Sequence, residues 1–193
     1  MTQNIDWITK QIDLSSEVIK ETANQCSEQI LKGSEVILKA LDQGNKVMWC
    51  GNGGSAGEAQ HLSGELVCGL RSHKRPALAS ISLTTDTSVI SAWSNDVDFQ
   101  SVFSRQIEAL GNSGDVLVAL STSGNSTNII NALETAKDLN IISLGLTGNK
   151  ESRMKELCDF IISIPSKDTQ RIQESHLLVG HIICEIIENH FID

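Results

Sequence analysis

The chain has 193 residues, enough for one domain with an elaborated arm. Its 40% hydrophobic and 20% charged residues describe a chain with a proper core and exclude a disordered or fibrous protein. A formal charge of −9 argues against a nucleic-acid partner, and no apolar run reaches the ~18 residues of a membrane helix.

The N-terminal stretch MTQNIDWITKQID is polar and mixed in charge, unlike a signal peptide. Residues 5–41 have helical spacing, with a break expected near Gly33. Short runs rich in Val, Ile and Leu follow at 46–50, 77–83, 115–120, 141–146 and 160–164. Continuous apolarity over such lengths reads as strands buried on both faces of a parallel sheet. Between the third and fourth runs, Ile129, Leu133, Ala136 and Leu139 recur at helical spacing. A second long helix is expected over 169–190. The alternation specifies an α/β fold, a three-layer α/β/α sandwich on about five parallel strands with long helices at both ends. Neither end helix has a strand of its own, so both are expected to build an oligomer by bundling between subunits. The five cysteines are scattered, with no CxxC. That pattern suits reduced thiols in a cytoplasm and argues against a disulfide framework or a cysteine-bound zinc.

Ligands of open parallel sheets bind outside the carboxyl ends of the strands. The first strand runs into Gly51-Asn52-Gly53-Gly54-Ser55-Ala56 and then a helix with His61 and Glu65 on one face. Glycines let the backbone approach a ligand, and a helix N-terminus favours an anion. The string also fits GxGxxA, but no acidic residue ends a second strand at the ~20-residue spacing of a dinucleotide site. The third strand ends in Ser121-Thr122-Ser123-Gly124-Asn125-Ser126. Hydroxyls beside fresh amide donors at a helix start favour a phosphate cradle over a single capping serine. On the last helix stand Gln173, Glu174, His176 and His181; Gln173 and His181 lie two turns apart and both can face one pocket.

Taken together, GNGGSAGEAQHLSGEL at 51–66, LTTDTS at 83–88, Asn95-Asp96, FSRQIEALG at 103–111, GDVLVALSTSGNS at 114–126, LGLTG at 144–148 and IPSKDTQRIQESHLLVGHIICE at 164–185 resemble the phosphoheptose isomerases of the sugar-isomerase (SIS) domain family. The resemblance implies one SIS domain over residues 1–193, with 1–43 an N-terminal helical oligomerisation arm, and a flavodoxin-like sheet. It implies conversion of sedoheptulose 7-phosphate to a glycero-manno-heptose 7-phosphate, the first step toward the heptose of bacterial lipopolysaccharide. It also implies a cytoplasmic homotetramer with active sites between subunits and no nucleotide. By the same resemblance the sugar is contacted by Asn52, Gly53, Gly54, Glu65, Asn95, Asp96 and Gln173, and its phosphate by Ser121, Thr122, Ser123 and Ser126. One zinc ion per subunit falls to His61, Glu65, Gln173 and His181, and the catalytic roles to Glu65 and His181. The alternative is the non-enzymatic sister branch that associates with the DnaA initiator. That branch lacks the counterparts of Glu65 and His181, and both are present here.

Overall fold

A computed structural model describes residues 4–192. Helix α1 (Ile5–Asp42) is capped by the Asn4 side chain, which accepts from the Trp7 N–H. Then come β1 (Val47–Gly51), α2 (Gly54–Cys68), β2 (Ser80–Ser82), α3 (Thr87–Asp96) and α4 (Val102–Leu110). The second half runs β3 (Val116–Ser121), α5 (Thr127–Asp138), β4 (Ile142–Gly148), α6 (Arg153–Leu157), β5 (Phe160–Ile164) and α7 (Thr169–Phe191). The five strands are all parallel in the order β2-β1-β3-β4-β5, and Gly51 of β1 pairs with Leu120 of β3. Strands β1 and β3 are buried along their whole length, as their unbroken apolar sequences require.

Each sheet face has its own core. On one, Ile37, Leu62, Leu66, Val179 and Ile183 from α1, α2 and α7 pack on Val118, Leu144 and Ile162. On the other, Ile107, Ile129 and Leu133 from α4 and α5 pack on Met48, Leu117 and Ala119. The three layers are those expected, while the domain boundaries 1–43 and 1–193 include residues 1–3 and 193, outside the described residues.

Two expectations for the end helices are corrected. Helix α1 runs through Gly33 without a break. Gly33 is buried, and a Cβ there would stand 3.1 Å from a δ-carbon of Leu144, so the glycine serves packing. Nor are the end helices without a strand: α1 lies against β5 and α7, and α7 against β4 and β5, so both belong to one covering layer. The start of α1 is open to solvent, with Ile5, Ile8 and Ile12 more than half exposed. No described helix is long and apolar enough to cross a membrane.

Candidate active site

The strand order reverses between β1 and β3, so the loops after these two strands open the crevice where α/β sheets bind ligands. Gly53 caps α2 with φ +58, a conformation that a side chain disfavours. Gly54 lies under the Gln173 amide so closely that any Cβ would collide with it. Asn52 exchanges two amide hydrogen bonds with Asn128 of α5, at 2.8 and 2.9 Å, which ties the two loops together.

In the loop after β3, the Ser121 hydroxyl lies 3.4 Å from that of Ser123 and 3.3 Å from that of Ser126, and accepts the Gly124 N–H. Ser126 occupies the N-cap position of α5, yet its side chain makes no capping bond. The hydroxyls therefore gather at the helix start instead of closing it, and the backbone dipole remains directed at the pocket. Asn52, Ser121, Thr122, Ser123, Ser126 and Gln173 all line this pocket of about 190 Å³. So do Ser55 and Thr169, at the starts of α2 and α7, which the sequence reading missed.

The second constellation stands on α2 and α7. His61 Nε2 lies 2.8 Å from His181 Nε2, with the rings edge-on at 76°, and 3.3 Å from Glu65 Oε1. Ligand atoms of the three residues all lie within 4.8 Å of one another. Two imidazole nitrogens and a carboxylate oxygen converging in this way suit a zinc ion with an open coordination position. Gln173, about 12 Å earlier along α7, lines the hydroxyl pocket.

Not every predicted residue joins these groups. Asn95 and Asp96 are exposed at the end of α3 and hydrogen-bond each other at 2.7 Å. Among the described residues, neither makes a side-chain hydrogen bond to a predicted site residue outside this pair. A cavity of about 550 Å³ at the β2 edge, beside Val89, Trp93 and Leu110, holds none of the predicted groups.

Two further titratable groups stand near these constellations; Glu58 was given no role from the sequence, whereas His176 was among the residues noted on the last helix. Glu58 lies one turn before His61; burial pushes its carboxyl up to about 7, and the Ser55 hydroxyl pulls the other way. The Glu58–His61–Glu65 spacing of three and four was the available signal. His176 is fully buried on α7, and burial pulls its imidazole down to about 4 against a backbone contact with Thr147. It is thus a neutral core histidine.

Comparison with known proteins identifies the family. Residues 11–148 match the SIS domain family. A phosphoheptose isomerase from Aliarcobacter butzleri is 47% identical over 182 residues, covering 94% of this chain and 96% of that protein. The structure of a phosphoheptose isomerase from Francisella tularensis superimposes with a TM-score of 0.93 at 34% identity, covering 97% of this chain and all of that one. The Neisseria gonorrhoeae phosphoheptose isomerase gives 0.90 at 36% identity, covering 95% of this chain and 98% of its own. The chain belongs to the SIS-domain family and, within it, to the phosphoheptose isomerases.

Proposed function

We infer that this protein is an isomerase that interconverts sedoheptulose 7-phosphate and D-glycero-D-manno-heptose 7-phosphate. The observation that carries the reading is His61, Glu65 and His181 gathered on a fold shared with enzymes of that name. Relatives named as enzymes over nearly the whole chain favour it over a DnaA-associating role.

The hydroxyls of Ser121, Thr122, Ser123 and Ser126 and the α5 N-terminus hold the phosphate, and Asn52, Gly53, Gly54, Asn95, Asp96 and Gln173 contact the sugar. Ketose becomes aldose by moving a proton from C1 to C2 and another between the oxygens on those carbons. Glu65 takes the C1 proton and returns it to C2. Its carboxylate, with Oε1 3.3 Å from His61 Nε2, is the base of the cluster. His181 carries the proton between the oxygens. A zinc ion, one per subunit, held by His61, Glu65 and His181 with Gln173, would supply a Lewis acid at the sugar oxygens. The transfer is internal, so no nucleotide or redox partner enters the balance.

An apolar surface supports the assembly. Ile5, Ile8 and Ile12 are exposed on α1, and Ile19, Leu31, Leu178 and Ile182 line a groove between α1 and α7. Such a surface suits a homotetramer bundled through these helices, with the active sites between subunits. The described cysteines are all free, in keeping with a cytoplasmic step early in lipopolysaccharide heptose synthesis. Purified protein given sedoheptulose 7-phosphate and no nucleotide should form a heptose 7-phosphate. Absence of that product would overturn the reading.

A further inference from the structure

Behind the His–Glu–His cluster lies a buried ion pair that the reaction does not use. Arg75, in the loop after α2, and Glu188, near the end of α7, have side chains only 1% and 2% exposed. The guanidinium makes three bonds in three directions. Nε donates to Glu188 Oε2 at 3.0 Å, Nη1 to the Pro76 carbonyl at 2.7 Å and Nη2 to the backbone carbonyl of Glu65 at 2.6 Å. The Glu188 carboxylate is held as firmly, accepting the backbone N–H groups of Leu70, Arg71 and Ser72 at 2.7 to 3.0 Å.

The placement of this clamp gives it meaning. Its acceptor on α2 is the backbone of Glu65, the residue whose side chain faces His61. Its anchor on α7 lies seven residues after His181, two turns along the same helix face. On α7 the cluster residue and the clamp residue stand two turns apart, while on α2 the clamp takes the backbone of a cluster residue itself. A helix is stiff over two turns, so fixing the clamp fixes the separation of the cluster. Stability alone is a weak reason for such a pair, since a buried ion pair gains little over apolar packing. A planar fork that joins a carboxylate, a loop carbonyl and a helix-end carbonyl is suited to setting position.

We propose that Arg75, locked by Glu188, is a positioning residue that holds the Glu65 backbone and the α2–α7 register, and so sets the spacing of His61, Glu65 and His181. The inference rests on the isomerase reading for its kinetic test and on the metal reading for its spectroscopic one. Arg75→Lys keeps the charge beside Glu188 but cannot reach three acceptors in one plane. Glu188→Gln keeps the shape but turns amide hydrogens toward backbone donors.

Both variants should fold. Relative to wild type, kcat should fall between about ten- and a hundredfold with KM within about twofold, and cobalt(II) affinity, read from its visible absorption, should weaken similarly. Variants that lose thermal stability yet keep wild-type kcat and cobalt affinity overturn the proposal, as does a failure of both to fold. If wild-type protein does not isomerise the sugar, the activity reading fails and the cobalt titration alone decides the clamp. If it isomerises without binding cobalt, the split between kcat and KM decides. A wild-type chain that does neither leaves no site to position and also overturns it.

Discussion

Within the hydroxyl loop, Ser121, Ser123 and Ser126 meet one another inside a six-residue segment, whereas His61 and His181 meet across 120 positions of sequence. The first group is shaped by a strand end and a helix start, and needs little beyond its own backbone. The second exists only while α2 and α7 keep their register, through Leu62 and Val179 in the core and the Arg75–Glu188 clamp. Local construction suits binding the unreactive end of a substrate, where a small displacement costs little. Construction across two helices places groups at the reacting carbons, where displacement is costly. Binding and turnover should therefore fail separately.

The harshest way to break the comparison is Glu65→Gln. The amide keeps the shape of the site and removes the base, so kcat should drop by about 10² to 10⁴. KM should stay close to wild type, because the hydroxyl loop is untouched. Steady-state kinetics on sedoheptulose 7-phosphate check both numbers. A variant whose KM rises while kcat is retained would place Glu65 in binding.

How much of this was legible follows the same division. The glycine and hydroxyl loops could be read because their chemistry lies in short runs, 51–56 and 121–126, at the ends of apolar strands. His61 and Glu65 could be paired by their spacing. Their meeting with His181 came from family resemblance, since no periodicity carries a contact between distant helices. The clamp was invisible for the same reason: Arg75 and Glu188 are 113 residues apart and look like ordinary surface charges. Gly33 misled because a helix-breaking residue signals a break only where no side chain needs its space, and Leu144 does. Asn128 was hidden because its partner Asn52 belongs to the other loop.

Acid should sharpen the difference by acting on α7. His176 is fully buried, and burial pulls its imidazole from the ordinary 6.5 down to about 4 in the fold. Its folded pKa is depressed, so the unfolded chain binds the extra proton between pH 6.5 and 4. Stability is complete above 6.5, declines as pH falls toward 4 and levels below that, for a total of roughly 3 kcal/mol from this group. Denaturant midpoints across the interval measure it. His176→Gln, though less stable at neutral pH, should show a flatter slope.

Turning to the loop, Ser121→Ala with Ser123→Ala removes two donors from the phosphate pocket. Each net hydrogen bond is worth about 1 kcal/mol, so KM for the sugar phosphate should rise roughly thirtyfold, with kcat nearly constant. Inorganic phosphate, as a competitive inhibitor, should weaken in parallel. Equal loss in kcat would mean that the loop also aligns the reacting end, and the two regions would no longer be separable.

The smallest expected effect lies at the seam between the loops. Asn128 takes no part in the proposed chemistry, but its amide holds Asn52 through two reciprocal bonds. Without this partner the Asn52 side chain can rotate away from the sugar and bond water, so binding must then order it again. Asn128→Ala should therefore cost about 1 kcal/mol of affinity, close to a fivefold rise in KM. It should leave kcat unchanged, because His61, Glu65 and His181 hang from α2 and α7 and not from α5. Combined with Ser121→Ala, the result separates two pictures of the pocket. If Asn52 and the hydroxyl loop bind opposite ends of the sugar independently, the losses add within about 0.5 kcal/mol. If the Asn52–Asn128 bridge itself shapes the hydroxyl loop, the double variant loses less than the sum, since either change alone has already loosened the cradle. A double-mutant cycle on KM distinguishes the two, and an additive result would make the seam a hinge for the sugar alone.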